Sequence, residues 1–290
     1  MATAGNSTAP TGSPTARATP TGAPLAPATL IAAGDISSCS TSGDAATAAL
    51  LDDLPGSIAT LGDAVYPDGT RRQFADCYDP TWGRHQIRTR PAPGNHEYHT
   101  AGAAGYFGYF GAAAGDPATG YYAYDLGAWR IYSLNSNCTE IGGCGERSAE
   151  VAWLAEDLAA HPSACVLAYW HHPRYSSAEH GSQASTDVLW DTLYAAGAEL
   201  VLSGHDHDYE RFAPLSGGGQ VDEAAGIVQF VVGTGGFSHY AFTREVTGSL
   251  VRNNTAFGVL VLTLSPGAWA SRFVPIAGQS FTDEAAGTCH

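Results

Sequence analysis

Lysine is absent from this chain of 290 residues: all 13 basic residues are arginine, 28 residues are acidic, and the formal net charge is −15. Without a cluster of cations the sequence offers no surface for the polyanionic backbone of a nucleic acid, which excludes that class of partner. No segment approaches the run of about 20 apolar residues that a membrane-spanning helix needs. The start of the chain also lacks the basic residues and apolar stretch of a secretory signal peptide. The chain is therefore expected to be the mature form, a sequence shortened for recombinant expression, or a protein that is not exported through a signal peptide.

The composition predicts one sizeable folded unit after a disordered start. Hydrophobic residues make up 44% of the chain, which is normal for a globular protein with a substantial core. Residues 1–27 are almost wholly Ala, Thr, Pro, Gly and Ser, without the apolar periodicity that would offset the entropy of ordering. We expect this segment to be disordered or extended and residues 28–290 to form a single domain.

Paired CxxC spacing, which is typical of structural zinc sites, is also missing. The six cysteines are spread singly along the chain: Cys39, Cys77, Cys138, Cys144, Cys165 and Cys289. We interpret them as three disulfides, formed in a secreted or otherwise extracytoplasmic protein, with several buried free thiols as the alternative. Cys138 and Cys144 flank a glycine-rich loop and are the pair expected first; the other pairings stay open.

The hydrophobic pattern predicts alternating strands and helices, followed by an all-β region. The predicted strands are Thr29–Ala33, Ile58–Leu61, Tyr121–Tyr124, Trp129–Leu134, Cys165–Trp170, Glu199–Ser203, Ile227–Val232, Gly258–Leu264 and Trp269–Val274. The predicted helices are Ala45–Leu54, Glu146–Ala160 and Thr186–Ala196. The first strand, helix and strand form a βαβ unit, which indicates a parallel sheet, and two sheets packed between helical layers would accommodate the whole order.

Five short tracts with metal-binding residue types each follow a probable strand. They read GDIS (34–37), GDAVY (62–66), GNHE (94–97), WHHP (170–173) and GHDHDYER (204–211). Strands of an open α/β sheet deliver functional residues at their carboxyl ends, where loops converge on one crevice. Asp35 and Asp63 each follow a strand and a glycine, although taken singly each could equally cap the helix that follows.

Histidines concentrate in and beside these tracts. Seven of the 11 histidines lie there: His96, His99, His171, His172, His180, His205 and His207. Neutral imidazoles and a carboxamide oxygen, such as that of Asn95, ligate divalent transition metals, and carboxylates add the charge that holds them. His205 and His207 alternate on one extended segment, so their side chains emerge on the same face and can reach two neighbouring ions. The tracts together predict a two-metal site.

In order and content the tracts resemble the calcineurin-like metallophosphoesterase superfamily and, within it, the purple acid phosphatases, whose loops read GDxG, GDxxY, GNHE, VxxH and GHxHxYER. The resemblance covers residues 29–236 and extends to TWGR (81–84), HHPRY (171–175) and VGTGG (232–236). Ser37 departs from it, since the family usually has glycine there. The resemblance implies an α/β fold, a four-layer α/β/β/α sandwich with two mixed sheets, and makes residues 28–290 a metallophosphoesterase catalytic domain.

The resemblance also implies the ligands. The first metal would be held by Asp35, Asp63, Tyr66 and His207, and the second by Asp63 as a bridge with Asn95, His171 and His205. Much of the superfamily has a histidine ligand at the position of Ser37, and the purple subfamily supplies a tyrosinate at the position of Tyr66 instead. The alternative for Tyr66 is an ordinary core aromatic. A phenolate favours Fe(III), so the implied cofactors are Fe(III) at the Tyr66 site and Fe, Zn or Mn at the second.

The implied activity is hydrolysis of phosphate monoesters by a metal-bound hydroxide, with a small phosphorylated molecule as substrate. Two ions roughly 3.5 to 4 Å apart activate a water, polarise the phosphoryl oxygens and stabilise an in-line attack. A phosphodiesterase or phospholipase-like hydrolase with the same metals is the alternative, and a non-catalytic metal or phosphate binder is the third hypothesis. The segment Gly102–Gly120 is the expected wall of the site; its aromatics could stack on a nucleobase, but packing is favoured.

Catalytic roles follow for three residues outside the ligand set. The leaving alkoxide needs a proton or a charge partner, which His96 and His180 are predicted to supply. Asp68 is predicted to hydrogen-bond His96 and fix its tautomer. The predicted substrate contacts are Asn95, His96 and His180.

Two further residues, His172 and Arg174, could also face the substrate. Solvation of the loop or an ion pair explains them equally well.

Overall fold

The structure, a computed structural model, describes residues 1–5, 25–162 and 165–290. Most of the segment predicted to be disordered, residues 6–24 of 1–27, lies outside the described residues. The strands are β1 Ala28–Ala33, β2 Ser37–Ser38, β3 Ser57–Leu61, β4 Val65–Tyr66, β5 Thr89–Ala92, β6 Tyr122–Leu126, β7 Trp129–Ser133, β8 Val166–Tyr169, β9 Leu200–Ser203, β10 Tyr209–Phe212, β11 Val228–Val232, β12 Ser249–Asn253, β13 Gly258–Ser265, β14 Ala268–Pro275 and β15 Glu284–Thr288. The α-helices are α1 Gly43–Asp53, α2 Arg71–Gln73, α3 Ala104–Phe110, α4 Ala149–Ala160 and α5 Asp187–Ala195.

Short helical turns connect several of these elements. They are a π-helical turn at Phe74–Tyr78 and 3₁₀ turns at Trp82–Arg88, Glu97–His99, Ala101–Ala103, Gly111–Ala114 and Ala184–Thr186. None of the described helices is long and apolar enough to cross a bilayer.

The first sheet has the strand order β15-β14-β13-β1-β3-β5. Strands β1, β3 and β5 run parallel, because α1 returns the chain between β1 and β3 in the predicted βαβ unit. Strand β13 adds antiparallel to β1, with Ile31 opposite Val261, and β14 and β15 continue antiparallel. The sheet is therefore mixed, with the buried strand β1 near its centre.

The second sheet has the order β12-β10-β11-β9-β8-β7-β6. Its centre, β7-β8-β9-β11, is parallel, and antiparallel strands border it on both sides. The predicted hairpin is present, with Leu126 of β6 opposite Trp129 of β7.

Alternating side chains of the second sheet sort into two hydrophobic clusters. Leu167 and Tyr169 of β8 belong to the cluster that the two sheets share, together with Leu51 of α1. Val166 and Ala168 belong to the cluster formed with helices α4 and α5. Since the side chains of a strand alternate between its faces, one face of this sheet meets the other sheet and the opposite face meets the helices. The predicted four-layer α/β/β/α sandwich with two mixed sheets is confirmed.

Most predicted elements are present within a few residues of their expected ends, whereas several edge strands were not predicted. Strands β5, β12 and β15 lie at the margins of the two sheets, and β5 contains Pro91. Residues of β12 and β15 alternate between exposed and half-buried, so these strands carry little apolar pattern. Strand β5 is mostly buried, but it is short and contains a proline. This explains why the hydrophobic period does not reveal them.

Three disulfides join all six cysteines: Cys39–Cys77, Cys138–Cys144 and Cys165–Cys289. The pair expected first, Cys138–Cys144, is confirmed. The third bond connects the start of β8 in one sheet to the chain just after β15 in the other. It therefore links the two sheets covalently, at the amino-terminal end of β8.

Candidate metal centre

The carboxyl ends of β1, β3 and β9 carry three residues in a backbone conformation that is unusual for them. Asp35, Asp63 and His205 have φ of 61°, 48° and 71°. This left-handed region strains residues other than glycine by about 1 to 3 kcal/mol, and such strain clusters at functional sites. The three residues also share a sequence context, since each directly follows a glycine at the end of a strand.

Two of those glycines allow the sheets to approach closely. A Cβ at Gly62 would lie 2.4 Å from His171 Nδ1, and a Cβ at Gly204 would lie 2.6 Å from Asp35 Oδ2. Only glycine leaves room for these side chains. Gly62 and Gly204 are thus required by contacts with the other sheet.

One half of the centre is built around the Tyr66 hydroxyl. It donates to Asp35 Oδ1 at 2.8 Å or Asp63 Oδ2 at 3.0 Å, and it also lies 3.0 Å from His207 Nε2. A phenol has one proton and cannot satisfy three acceptors at once. Burial and the negative charges of Asp35 and Asp63 raise the pKa of Tyr66 well above its usual value. The phenolate therefore needs a strong local cation.

The other half is built around His171, whose Nδ1 lies 2.8 Å from the Leu61 carbonyl oxygen and so carries a proton. Its Nε2 faces Asn95 Oδ1 at 3.0 Å and Asp63 Oδ2 at 3.2 Å. Burial lowers the pKa of His171, but the charge of Asp63 and the hydrogen bond to it outweigh burial and raise the pKa to about 9. The oxygens around Nε2 thus favour a positive charge at this point, either a proton on the ring or a cation beside it.

His205 completes this half, with Nδ1 at 3.2 Å from His171 Nε2. Burial and the neighbouring charge of His171 lower the pKa of His205, so its imidazole is neutral and presents a lone pair. Oxygen and nitrogen lone pairs that converge in a buried pocket repel one another unless a cation lies among them. At the centre, two groups of side chains have ligand atoms within 4.8 Å of one another: Asp35, Asp63 and His171, and His171, His172 and His205. The donor set fits transition-metal ions.

Glu97 of the GNHE tract lies behind the ligands and joins two of the tracts. Its buried carboxylate accepts backbone N–H groups from Gly94 at 2.7 Å and from Asp63 and Ala64 at 2.9 Å each. Because it holds the backbone of both the GDAVY and the GNHE tracts, it positions Asp63 and the residues around it. The GNHE tract contains this glutamate, but its position in the sequence predicts no role for it.

The segment after VGTGG supplies three contacts that were not predicted. Ser238 Oγ lies 2.6 Å from His207 Nδ1, which leaves Nε2 of that ring for the centre. Phe237 stacks on Tyr66 at 3.8 Å, and Tyr240 stacks on His207 at 3.9 Å. The VGTGG tract that precedes them was the available signal, but it does not indicate where the following side chains lie.

His96 lies at the margin of the centre with a defined orientation. Its Nδ1 is 2.6 Å from the Pro67 carbonyl oxygen and carries the proton, so Nε2 faces the centre, 3.9 Å from Asp63 Oδ2. The prediction that Asp68 hydrogen-bonds His96 is wrong. The Asp68 carboxylate instead lies 3.5 Å from His99 Nδ1, because the turn at residues 66–68 presents a backbone carbonyl to His96.

His180 lies on another side of the centre, exposed, with its ring stacked on His205 at 4.3 Å. His172 is close as well, 4.5 Å from the His205 ring, and its Nδ1 lies 2.8 Å from Ser136 Oγ. Burial and the charge of His171 lower the pKa of His172 to about 3, so this ring is neutral. Arg174 pairs with Asp187 at 2.7 Å, which agrees with the ion-pair alternative.

The aromatics of Gly102–Gly120 pack in the core. Tyr106, Phe107 and Phe110 are buried in the cluster shared by the two sheets, and Tyr109 packs against it. The packing interpretation is confirmed, and the aromatic surface at the centre comes from Phe237 and Tyr240 instead.

The fold and this cluster define a metallophosphoesterase. A model of the family described as Calcineurin-like phosphoesterase matches residues 24–209, and the chain belongs to this family. Membership implies a binuclear metal site.

Among curated proteins, the chain is 26% identical over 200 residues to purple acid phosphatase 15 of Arabidopsis thaliana, a match covering 56% of this chain and 37% of that protein. It is 35% identical over 83 residues to tartrate-resistant acid phosphatase type 5 of Rattus norvegicus, covering 28% and 25% of the two chains. The chain thus matches well under half the length of these relatives. The resemblance to purple acid phosphatases is confirmed.

Solved structures show the same fold. Purple acid phosphatase PPD1 from yellow lupin (Lupinus luteus) superposes with a TM-score of 0.68 at 18% identity, covering 91% of this chain and 54% of that chain. GAP50, the anchor in the inner membrane complex of Plasmodium, also gives a TM-score of 0.68, at 14% identity, with 91% and 90% of the two chains covered.

Proposed function

We propose that the chain hydrolyses phosphate monoesters at a pair of metal ions. The ligands would be Asp35, Asp63, Tyr66, Asn95, His171, His205 and His207. The observation that carries the proposal is the convergence of buried lone pairs around Asp63, for which the chain supplies too few protons. The catalytic domain would be residues 28–290, which contain every strand and helix described.

Asp63 would bridge the two ions. Its Oδ2 lies 3.0 Å from the Tyr66 hydroxyl and 3.2 Å from His171 Nε2, so one carboxylate oxygen faces both halves of the centre. Ions bound in this way supply an activated water and positive charge for the phosphoryl oxygens. The remaining ligands divide between the halves, with Asp35 and His207 on the Tyr66 side.

The proposed metal at the Tyr66 side is Fe(III), with Fe, Zn or Mn at the second site. Two carboxylates and a phenol oxygen are hard ligands that favour a hard cation. We further propose an extracytoplasmic location, which the three disulfides support.

His96 and His180 would handle the substrate from two sides, with Asn95 as a further contact. The Pro67 carbonyl fixes the proton of His96 on Nδ1, which leaves Nε2 as the atom that exchanges a proton with the leaving oxygen. His180, stacked over His205, would bind the phosphoryl group. Asp68 keeps no role in proton transfer in this proposal, because the Pro67 carbonyl fixes the proton of His96 and the Asp68 carboxylate lies 3.5 Å from His99 Nδ1 instead.

The test compares p-nitrophenyl phosphate with bis(p-nitrophenyl) phosphate, together with elemental analysis of the purified protein. We expect two transition-metal ions per chain and a higher kcat/KM for the monoester. Asp63→Asn should lose both ions. Removing a residue that only hydrogen-bonds a metal ligand lowers activity by about 10- to 100-fold, and Asp63→Asn should lower kcat/KM by more than that. Arg84→Ala, which breaks an exposed ion pair with Asp52, is the control and should change neither value.

Two outcomes would contradict the proposal. Active protein without bound transition metal would exclude the metal mechanism, and a preference for the diester would replace the monoesterase with the diesterase alternative.

A further inference from the structure

We propose that Asp206 is a positioning residue, whose buried carboxylate anchors the loop that carries His180 and so sets the place of its imidazole over the metal centre. The inference rests on the proposed function for its kinetic consequences, but the anchoring itself is independent of activity. Asp206 lies between His205 and His207, so the anchor is continuous with two of the proposed ligands.

Both oxygens of Asp206 are occupied by the segment 176–181. Oδ1 accepts the His180 backbone N–H at 2.9 Å, and Oδ2 accepts the Gly181 N–H at 3.1 Å. Oδ2 also accepts the Ser176 hydroxyl at 2.5 Å. The carboxylate is fully buried and has no access to water. The three hydrogen bonds therefore satisfy acceptors that would otherwise be left unpaired at a cost in stability.

The His180 side chain depends on this backbone anchor because its ring is held only weakly. Within the described residues the imidazole makes ring contacts, at 4.3 Å to His205 and 5.1 Å to Tyr240, and no side-chain hydrogen bond. The residue is exposed. The direction of the ring is therefore determined mainly by the position of the backbone, which Asp206 fixes at the N–H of the same residue.

The acidic residues that follow Asp206 at alternate positions differ in their contacts. Glu210 accepts the Ser177 N–H at 2.8 Å and thus holds the beginning of the same loop. Asp208 is fully buried, and neither of its oxygens has a hydrogen-bond partner among the described residues. Asp208 flanks His207 just as Asp206 does, but it does not hold the loop. Asp208→Asn is therefore a matched control for Asp206→Asn.

The first measurement is hydrogen–deuterium exchange of the His180 and Gly181 amides. In the wild-type chain both amides should be protected, because their N–H groups are bound to a buried carboxylate. Asp206→Asn keeps one acceptor oxygen and places an NH₂ group against the other donor, so exchange should become at least tenfold faster. Asp208→Asn should leave both amides protected. Unchanged exchange in Asp206→Asn would overturn the inference.

The second measurement is a double-mutant cycle with His180→Ala on a phosphate monoester. Misplacement of a catalytic-site group by about 1 Å lowers rates by up to about 100-fold, so Asp206→Asn should lower kcat/KM towards the value of His180→Ala, with metal content unchanged. In the His180→Ala background the same substitution should have little further effect. Additive losses would mean that Asp206 acts only on general stability and would overturn the inference.

Ser176→Ala is the milder variant if Asp206→Asn does not fold. It removes one hydrogen bond from Oδ2 and leaves the His180 N–H bound, so its loss of kcat/KM should be smaller and should also vanish in the His180→Ala background. If the wild type shows no hydrolysis at all, the proposed function fails, while faster exchange in Asp206→Asn would still support the anchor.

Discussion

Asp63 connects the two halves of the candidate centre through four separate contacts. Its backbone N–H donates to Glu97, its Oδ1 accepts the His96 N–H at 2.9 Å, and its Oδ2 faces both Tyr66 and His171. These hydrogen bonds offset the strain of its left-handed backbone. The carboxylate is therefore oriented by the protein before any ion arrives.

Replacement of His96 tests the role of the imidazole apart from metal binding. His96→Gln should lower turnover by about 100-fold or more, the usual contribution of a general acid or base. Metal content should stay the same, because the ring lies 3.9 Å from Asp63 Oδ2 and outside the proposed ligand set. Turnover of p-nitrophenyl phosphate and elemental analysis measure the two quantities.

His99→Gln is the matched control for that substitution. His99 also contacts the Pro67 carbonyl, at 3.0 Å, and its ring lies 4.6 Å from that of His96. It should change turnover only slightly. Equal losses in the two variants, or loss of metal in His96→Gln, would remove His96 from its proposed role.

At the scale of the elements, the sequence reveals the residues that follow buried strands. Asp35 and His205 could be predicted because an apolar run and a glycine precede each, and the carboxyl ends of neighbouring parallel strands meet. Ser238 could not, because it reaches His207 across 31 residues of chain through tertiary packing. The Asp68 contact was mispredicted because residue spacing does not show which way a turn presents its carbonyl.

Helix α4 contains a buried acid that should make stability depend on pH. Glu150 is in its first turn, where Oε1 accepts the Asn135 N–H at 2.7 Å and Oε2 has no partner among the described residues. Burial raises the pKa of Glu150 from 4.5 to about 8, and the Asn135 hydrogen bond opposes this only in part. Between pH 4.5 and about 8, Glu150 is protonated in the folded chain and ionised in the unfolded chain. The free energy of unfolding therefore falls as the pH rises through this range.

Glu150→Gln should therefore raise the free energy of unfolding at pH 8, by about 1 to 4 kcal/mol at about 1.4 kcal/mol per pKa unit. Near pH 4.5 it should have little effect. Thermal denaturation at both pH values measures the difference, with Glu156→Gln on the exposed side of the same helix as control. A stabilisation of equal size at both pH values would contradict the assignment.

At the scale of the whole molecule, the centre joins the two sheets of a strongly acidic chain. Asp35 and Asp63 follow strands of the first sheet, whereas His171 and His205 follow strands of the second. The net charge of −15 repels a phosphate dianion from a distance, but salt screens exposed charges beyond about 8 to 10 Å. In the proposed function, attraction at short range would therefore come from the bound ions, so phosphate binding should depend on metal loading.

The two sheets are also joined covalently, at the end remote from the centre. Cys165–Cys289 closes a loop with a sequence separation of 124, compared with 6 for Cys138–Cys144. In the chain-entropy model a loop of about 100 residues contributes about 4.7 kcal/mol, and one of about 15 residues contributes about 3 kcal/mol. Removing the long-range bond should therefore destabilise the chain more than removing the short one.

We expect Cys165→Ser/Cys289→Ser to lower the free energy of unfolding by about 2 to 4 kcal/mol, the usual range for a native disulfide. Cys138→Ser/Cys144→Ser should lower it by less. Urea unfolding followed by tryptophan fluorescence compares the variants at one pH and one metal concentration. Activity should persist in the first variant, because Cys165 precedes β8 and His171 follows its opposite end. Equal destabilisation by the two variants would contradict the loop-length argument. Loss of activity in a folded Cys165→Ser/Cys289→Ser chain would show that the bond also shapes the centre.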